Sequence, residues 1–254
     1  MKTVLLAGGY GTRISEESAT RPKPMVEIGG RPILWHIMEM YASHGYNDFV
    51  VACGYKSAYI KQYFSSVTQQ LNNLSINLGT GVIETIGKHA PDWKVTLMDT
   101  GLNTMTGGRL RRLAPYLDST FMVTYGDGVS NVDITKLVEF HKSHGKLATV
   151  TAVRPPARFG SLILDDSKVK CFSEKNPVSE GWINGGFFVL EPEVLDYISG
   201  DEVPFETDPL SNLSKDGQLM AYLHDGFWKC MDTLRDKVQL EQMWQKGDAP
   251  WMLR

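Results

Sequence analysis

The sequence predicts an α/β fold in which helices cover both faces of a mostly parallel sheet. Through the first half of the chain, short apolar runs alternate with amphipathic stretches of helical length, which is the pattern of repeated strand–helix units. The apolar runs are nearly continuous rather than alternating with polar residues, as expected for strands that are buried on both faces. Together these observations indicate a Rossmann-like sheet within a single domain over residues 1–254.

The elements follow one another in a regular order. In the first half the pattern predicts strands at 4–7, 49–53, 95–98 and 121–124, and helices at 33–43, 58–64, 110–117 and 134–144. Residues 66–92 are polar and irregular, and no element is assigned to them. The second half predicts strands with close turns at 148–153, 161–164, 168–173 and 186–190, and then a helix at 234–245. That helix is opened by Thr233 and Asp236 in capping-box spacing. We expect the chain to form a first half over about residues 1–146 and a strand-rich second half over about 147–254, with the second half closing over the first.

Composition excludes several classes of protein. The net charge of −3 leaves no general basic field for nucleic acid. No apolar run approaches the length of a membrane span, and the first run is too short for a signal peptide. The cysteines Cys53, Cys171 and Cys230 show no zinc or redox spacing. We therefore expect a cytoplasmic protein with reduced thiols.

The first strand leads into a glycine-rich turn that is followed by two basic residues. Three glycines lie within residues 8–11, Arg13 follows them, and Lys23 stands between Pro22 and Pro24. Glycine lets a backbone approach a ligand closely, and bare N–H groups at such a turn bind anions. The two prolines restrict the backbone around the lysine. A glycine turn also serves simply to pack a strand on a helix, but the two cations favour a polyphosphate site. The spacing excludes a Walker loop and a dinucleotide fingerprint.

These residues carry a family resemblance. The segment GGYGTR at 8–13, followed by PKPM at 22–25, closely resembles the signature of sugar-1-phosphate nucleotidyltransferases. Most of that family continues with Leu-x-Pro-x-Thr, whereas this chain has ISEES at 14–18. That segment is similar to the Leu-Ser-Glu-Glu-Thr of the cytidylyl-transferring branch, and Ser18 keeps the hydroxyl of the threonine. The resemblance extends from Met1 to about Trp251.

The resemblance implies an activity and partners. It implies transfer of a cytidylyl group from CTP to α-D-glucose 1-phosphate, giving CDP-glucose and pyrophosphate, with Mg²⁺ as cofactor. It further implies a role in nucleotide-sugar biosynthesis, for the lipopolysaccharide O-antigen. UTP or dTTP as the nucleotide, and a non-catalytic sugar-nucleotide sensor, remain alternatives. A homo-oligomer is also implied, with a hexamer as one form, and we expect exposed aromatic residues near Trp244 and Trp251 to serve an interface.

Two aspartates are candidate metal ligands. Asp127 lies between glycines directly after the strand at 121–124, where open α/β sheets bind ligands. In the family a Gly-Asp at this point holds Mg²⁺, and the resemblance gives Asp232 as its partner at the start of the last helix. Two carboxylates with phosphate oxygens and water suit magnesium. The alternatives are a turn residue for Asp127 and a helix cap for Asp232.

The sugar phosphate is assigned by resemblance to a loop and a strand. Glu174 and Lys175 match the family's Phe-x-Glu-Lys-Pro, although Asn176 replaces the proline, and they also suit a solvated surface pair. The segment at 184–186 matches the family's Asn-Gly-Gly, and its two glycines otherwise indicate a strand bulge. The residues assigned to the sugar phosphate are Gly128, Glu174, Lys175, Asn184 and Gly185.

The nucleotide base is assigned to the segment at 104–109, where Thr104 and Arg109 are the implied contacts. A helix N-cap with solvent-facing arginines is the alternative, and it stays open for Arg111 and Arg112. The residues assigned to the nucleotide are Leu6, Ala7, Gly8, Gly9, Gly11, Thr12, Arg13, Lys23, Thr104, Gly108 and Arg109. The residues assigned to catalysis are Arg13, Lys23, Asp127 and Asp232.

One pair of histidines has the spacing of a zinc site. His141 and His144 lie three residues apart on a predicted helix. Without a third ligand nearby in the sequence, we interpret them as a surface pair. The chemistry implied by the resemblance needs no general base, because a sugar phosphate is already ionised near neutral pH.

Overall fold

The structure is a computed structural model that describes residues 1–18, 20–87, 89–155, 161–165, 168–173 and 181–252. The strands in it are β1 (Lys2–Ala7), β2 (Glu27–Ile28), β3 (Arg31–Pro32), β4 (Asp48–Cys53), β5 (Asn73–Asn77), β6 (Val82–Ile86), β7 (Lys94–Asp99), β8 (Phe121–Tyr125), β9 (Gly128–Ser130), β10 (Ala148–Val153), β11 (Ser161–Asp165), β12 (Lys168–Ser173), β13 (Ile183–Leu190), β14 (Leu219–His224) and β15 (Trp228–Cys230).

The helices in the described residues are α1 (Ser15–Ser18), α2 (Ile33–Ser43), α3 (Ser57–Leu71), α4 (Thr106–Arg112), α5 (Ile134–His144), α6 (Asp208–Lys215) and α7 (Leu234–Gln245). Short 3₁₀ turns lie at Thr12–Ile14, Lys23–Met25, Ala114–Tyr116 and Pro192–Tyr197. The predicted capping box of α7 is confirmed: the Thr233 hydroxyl and the Asp236 carboxylate each pair with the other's backbone N–H.

A seven-stranded sheet organises the chain, in the order β14-β10-β13-β8-β1-β4-β7. β1 runs parallel to both β4 and β8, and β4 is parallel to β7. β13 is antiparallel to its two neighbours. The predicted mostly parallel α/β sheet is therefore confirmed. The chain adds β4 and β7 on one side of β1 and then returns to the other side with β8, so the strand order reverses between β1 and β8.

Alternation along β1 explains why helices cover both faces. Val4 and Leu6 pack into one buried cluster, with residues of α4 and α6, whereas Leu5 and Ala7 pack into the other, with residues of α2, α5 and α7. Successive side chains of a strand point to opposite faces. Because both faces are covered, every residue from Thr3 to Ala7 is buried. The continuous apolar run predicted this arrangement.

Two parts of the first half differ from the prediction. The predicted helix at 110–117 is instead α4 at Thr106–Arg112, followed by a 3₁₀ turn. Pro115 lies in that turn and lacks the N–H that a continuing helix needs. The start of α4 was missed because Gly107 and Gly108 are poor helix formers. Tertiary packing overrides that preference, since the backbone of Asp201 and Val203 occupies the space next to these glycines.

Residues 66–92 contain more structure than the sequence indicated. α3 continues to Leu71, and β5 and β6 then form an antiparallel hairpin. Every residue of these two strands is exposed. Directly opposed residues share a face of the hairpin, which places Leu74, Ile76 and Ile83 together.

The second half does not form a separate sheet throughout. β10, β13 and β14 extend the central sheet, while β11 and β12 pair with each other. The 3₁₀ turn at 192–197, α6, β14 and β15 were not predicted.

Three aromatic side chains were placed wrongly by the sequence. Trp251 is only 2% exposed and stacks on Phe227, and Trp244 packs edge-on against the buried His36. Trp251 is therefore a core residue, and Trp244 is half-buried against the same core, so neither is the exposed aromatic residue that was expected. His141 is buried as well, and its ring nitrogens contact the Thr149 hydroxyl at 2.8 Å and a Glu191 carboxylate oxygen at 3.1 Å. The surface-pair interpretation was therefore wrong for His141.

Within the described residues, none of the helices combines the length and the apolar character needed to cross a membrane.

Candidate active site

A cavity of about 360 Å³ opens at the carboxyl ends of β1 and β8. This is the edge of the sheet at which the strand order reverses, the usual place for a ligand in an open α/β sheet. The cavity is lined by Leu6, Ala7, Gly8, Gly9, Gly11, Thr12, Lys23, Pro24, Thr104, Met105, Thr106, Arg109, Tyr125, Gly126, Asp127 and Asp232. The structure thus brings together most of the residues that the sequence assigned to the nucleotide and to catalysis.

Asp127 and Asp232 are neighbours because two short strands pair with each other. β9 begins directly after Asp127, and β15 ends two residues before Asp232, at Cys230. The two strands are antiparallel, with Gly128 opposite Cys230. The Met231 N–H also donates to the Asp127 carbonyl at 2.8 Å. Two carboxylates that lie over a hundred residues apart in the sequence are thereby held at one end of the cavity.

Lys23 lies between these carboxylates. Its Nζ donates to Asp127 Oδ2 at 2.6 Å and to Asp232 Oδ1 at 2.7 Å. Burial alone would lower the pKa of Lys23, but the charges and hydrogen bonds of the two aspartates outweigh it, and the pKa is raised above its ordinary value. The lysine is therefore a cation at neutral pH, held between two carboxylate groups.

The glycines of the first turn make room mainly for protein side chains. A Cβ at Gly8 would lie 2.2 Å from the guanidinium carbon of Arg109, and a Cβ at Gly11 would lie 3.0 Å from Lys23 Cβ. Gly11 also has a φ of +65°, which other residues adopt only with strain. Gly9 differs, since no atom lies within 4 Å of the position of its Cβ. Only Gly9 of these three thus leaves open space beside its backbone.

Arg109 ties together the loops that follow β1, β4 and β7. One terminal nitrogen donates to the Thr100 hydroxyl and the Gly101 carbonyl, both at 2.7 Å, and to the Cys53 carbonyl at 3.3 Å. The other donates to the Gly8 carbonyl at 3.0 Å and to a further carbonyl of the β7 loop at 3.4 Å. The residue is 4% exposed. Its terminal nitrogens are thus occupied by the protein, while the side chain forms part of the cavity wall.

Of the other two residues assigned to the base, one lines the cavity and the other does not. Thr104 is buried and lines the cavity. Gly108 is not among the lining residues, because its Cα faces the backbone of Asp201, 2.5 Å from where a Cβ would be. The Arg112 side chain pairs with the Asp201 carboxylate at 2.9 Å, so α4 is held against the segment that contains Asp201.

The sugar-phosphate assignments fall beside the cavity. The pairing of β10 with β13 shifts register where β13 carries Gly185 and Gly186, as a bulge would. Asn184 Nδ2 donates to the Tyr125 hydroxyl at 3.3 Å, which places this asparagine next to a lining residue. Gly185 lies against Val153, and Gly128 is buried within β9. These three residues do not line the cavity themselves.

Some assigned groups lie outside what the structure describes. They are the side chain of Arg13 and the residues Glu174 and Lys175.

The sequence missed a group of residues around Tyr125. Tyr125 and Thr106 line the cavity, and both of their hydroxyls donate to the carboxylate of Glu206 at 2.5 Å. Tyr125 could have been found, because it ends the strand that precedes Asp127. No local signal marks Glu206, which lies in the segment before α6 and meets the site only through the fold.

Comparison with known proteins agrees with this geometry. The model of the family described as nucleotidyl transferase matches residues 2–242. The chain is 52% identical to glucose-1-phosphate cytidylyltransferase of Salmonella typhi over 253 residues, covering 99% of this chain and 98% of that protein. The chain therefore belongs to the nucleotidyl transferase family.

More distant relatives support the same placement. The chain is 44% identical to a probable glucose-1-phosphate cytidylyltransferase of Bacillus subtilis, with 99% of each chain covered. A crystal structure of a putative glucose-1-phosphate thymidylyltransferase from Bacillus anthracis superposes with a TM-score of 0.70 at 18% identity, covering 96% of this chain and 94% of that one. This last similarity concerns the fold alone.

Proposed function

We propose that the protein transfers a cytidylyl group from CTP to α-D-glucose 1-phosphate, giving CDP-glucose and pyrophosphate. The observation that carries the proposal is the convergence of Lys23, Asp127 and Asp232 in a cavity at the carboxyl ends of β1 and β8. The choice of base and sugar is supported by the relative named glucose-1-phosphate cytidylyltransferase at 52% identity.

The chemistry requires alignment more than proton transfer. An oxygen of the sugar phosphate bonds to the α-phosphorus of the nucleotide, the bond from that phosphorus to the bridging oxygen breaks, and pyrophosphate leaves with the electron pair. The attacking oxygen is already ionised near neutral pH, so no general base is needed. The residues of the site must orient the two substrates and neutralise phosphate charge.

The carboxylates of Asp127 and Asp232 suit a divalent cation. Their oxygens meet at one cationic centre, 2.6 and 2.7 Å from Lys23 Nζ, which shows that both face the same point. Among the described residues no group of three or more His, Cys, Asp or Glu side chains offers a complete protein cage. Mg²⁺ fits such a partial site, because it takes oxygen ligands and completes its shell with water and phosphate. When bound, it would supply positive charge to the phosphates.

Lys23 is proposed to contact the phosphates once a metal takes its place between the aspartates. Arg13 is proposed to stabilise the departing pyrophosphate, by resemblance to the family. Glu174, Lys175 and Asn184 are proposed to hold the sugar phosphate on the same basis, together with Gly128 and Gly185. The nucleotide is proposed to lie over the segment at 6–12, with its base towards Thr104, Gly108 and Arg109.

Pyrophosphate release tests the proposed function. The purified protein is incubated with Mg²⁺, glucose 1-phosphate and each of CTP, UTP, dTTP and ATP in turn, and the sugar nucleotide is identified by mass. We expect CTP to give by far the highest kcat/KM. A higher value with UTP or dTTP would reassign the base, and no pyrophosphate with any of them would favour a sugar-nucleotide sensor.

We propose further that the chain forms a homo-oligomer, with a hexamer as one form, through the β5–β6 hairpin. Leu74, Ile76 and Ile83 lie on one face of that hairpin and are 37%, 51% and 47% exposed. Apolar side chains clustered this way are typical of an interface.

Ile76→Asp places a charge on this face, and Ser75→Asp places the same charge on the opposite face as the control. Light scattering after size exclusion should show a smaller species for Ile76→Asp alone. A wild-type monomer would refute the assembly.

A cytoplasmic location and a role in lipopolysaccharide O-antigen synthesis are also proposed. Cys53 and Cys230 are free thiols, which suits a reducing compartment.

A further inference from the structure

A chain of hydrogen bonds runs along one side of the cavity and ends at Glu206. The Tyr125 hydroxyl and the Thr106 hydroxyl each donate to a different oxygen of this carboxylate at 2.5 Å. Thr106 in turn accepts from the Phe205 N–H at 2.8 Å, which holds the threonine hydroxyl in place. Bonds to an ionised acceptor at such distances are short and strong. The Tyr125 hydroxyl is therefore fixed by a carboxylate that lies outside the cavity lining.

The same chain reaches Asn184 on the other side of Tyr125. The Gly186 N–H donates to Asn184 Oδ1 at 2.8 Å, which fixes the orientation of the amide. Asn184 Nδ2 therefore faces the Tyr125 oxygen and donates to it at 3.3 Å. Tyr125 can accept this bond because its own proton is directed to Glu206. Each bond in the chain thus has a set direction, and the carboxylate determines it.

The packing around Tyr125 leaves its ring little freedom. A Cβ on Gly186 would lie 2.4 Å from the nearest ring carbon, so the strand backbone packs closely against the ring. Phe188 packs edge-on against the same ring, with 6.2 Å between ring centroids. The Tyr125 ring is thus confined by β13. Glu206 fixes what remains free, which is the position of the Tyr125 hydroxyl and the direction of its proton.

We propose that Glu206 is a positioning residue that holds Tyr125, and through it Asn184, in the arrangement that receives the sugar phosphate. The inference rests on the proposed function, since it concerns the sugar side of that site. Asn184 retains a second Nδ2 proton, which makes it a donor towards an acceptor oxygen of the substrate. Without the carboxylate, the Tyr125 proton has to find another acceptor, the Tyr125 oxygen no longer stays in place to accept from Asn184 Nδ2, and the asparagine keeps only the bond from the Gly186 N–H.

The first test compares two substitutions of Glu206 by initial rates of pyrophosphate release. Glu206→Ala should raise the KM for glucose 1-phosphate about tenfold, as expected for the loss of a charge-assisted hydrogen bond. The KM for CTP should rise much less, because Thr106, the other partner of Glu206 in the cavity wall, keeps its bond from the Phe205 N–H, and the Lys23 end of the cavity is untouched. Glu206→Gln keeps one acceptor oxygen and should recover part of the loss. If both KM values rise together, or neither changes, the proposal is wrong.

A matched control comes from a second tyrosine–carboxylate pair. The Tyr197 hydroxyl donates to Asp216 Oδ2 at 2.9 Å, and this pair lies near the start of β14, at the opposite edge of the sheet from the cavity. Asp216→Asn should leave both KM values unchanged. Thermal unfolding of all variants separates a loss of folding from a loss of positioning. Glu206 is exposed, so we expect these variants to fold.

A double-mutant cycle tests whether Glu206 acts through Tyr125. Tyr125→Phe should itself raise the KM for glucose 1-phosphate, and adding Glu206→Ala should raise it little further, because both changes interrupt the same chain. Additive effects would show that Glu206 acts by another route. The assay uses whichever nucleotide and sugar phosphate the wild type turns over best. A different substrate pair would therefore overturn the proposed function and still test the positioning role.

Discussion

Two buried cations, Lys23 and Arg109, lie at opposite ends of the cavity and are held in different ways. The ammonium group of Lys23 contacts two carboxylates at 2.6 and 2.7 Å, so its charge is balanced by opposite charge. The guanidinium group of Arg109 contacts four backbone carbonyls and one hydroxyl, all of them neutral. Burial lowers the pKa of Arg109 and nearby Arg112 adds to the effect, whereas the pKa of Lys23 is raised.

The difference separates Lys23, whose place between the carboxylates another cation can take, from Arg109, whose charge the fold holds in a fixed position. In the metal-bound state proposed above, a metal ion would replace Lys23 between the aspartates without leaving them unpaired, and the lysine would then be available to a phosphate. Arg109 cannot leave without stranding buried carbonyls, each of which costs about 1–3 kcal/mol. We therefore expect changes at the Lys23 end to affect catalysis, and changes at the Arg109 end to affect the shape of the cavity first.

The largest effect should follow from Asp127→Asn. The amide keeps the shape of the carboxylate but removes one charge from the proposed metal site, so kcat should fall by about 10²–10³. Excess Mg²⁺ should recover only part of the loss, and the melting temperature should change little. The measurement is kcat over a range of Mg²⁺ concentrations. Full activity in EDTA would end the two-aspartate proposal and remove the distinction drawn between the two cations.

The glycine turn and the capping box of α7 were predictable because each depends on residues close together in the sequence. The meeting of Asp127 with Asp232 was not, because it depends on pairing between β9 and β15, two strands of three residues each. The sequence marked Asp127 by its place directly after a strand, but it marked the two aspartates as a pair of metal ligands only through resemblance to a family. What it could not supply was the contact that places Lys23 between them.

The roles of the glycines were only partly predictable for the same reason. A glycine turn after a strand indicates close approach, but it does not say what approaches. At Gly8 the neighbour is Arg109, which lies about a hundred residues further along the chain and enters from α4. The exposed hairpin and the burial of Trp251 were missed because surface and core are decided by tertiary packing, which local periodicity does not show.

The second effect concerns Arg109→Lys. A lysine has one nitrogen, so it cannot reach all the acceptors that the guanidinium group joins, and at least one buried carbonyl stays unpaired at about 1–3 kcal/mol. The melting temperature should fall by roughly 2–4 °C for each kcal/mol. Since the terminal nitrogens already bond to the protein, we expect kcat/KM for CTP and UTP to fall together. A selective loss with CTP would show that the arginine identifies cytosine directly.

The third effect separates two adjacent glycines. Gly8→Ala places a methyl group 2.2 Å from the Arg109 guanidinium carbon, and such overpacking costs about 1–3 kcal/mol. Gly9→Ala meets open space and should leave the free energy of unfolding almost unchanged. If the nucleotide lies against this backbone, the KM for CTP should rise for Gly9→Ala as well. Chemical denaturation and initial rates on both variants provide the comparison.

The smallest expected effect is a change in the labelling of two cysteines, one near Arg109 and one near the two aspartates. Cys53 is buried near Arg109, and burial raises the pKa of its thiol to about 11. Burial, and then the charges of Asp232 and Asp127, raise the pKa of the Cys230 thiol to about 12. Both thiols are therefore protonated at pH 8, and both should react slowly with iodoacetamide in a Cys171→Ser background.

The direction in which the labelling of each thiol changes follows from what raises its pKa. Removing the charge of Asp127 lowers the pKa of Cys230, so Asp127→Asn should increase the labelling of Cys230 at pH 8 to 10 and leave Cys53 unchanged. Arg109→Lys should instead increase the labelling of Cys53 and leave that of Cys230 unchanged, because loosening the loops exposes Cys53 while the aspartates stay in place. Raised thiol pKa values also mean that the unfolded chain loses these protons first, so stability is fully present below about pH 9 and falls as the pH rises towards 11. Labelling of both cysteines by either substitution would show that the two ends of the cavity are coupled and that the division between an exchangeable and a fixed cation is wrong.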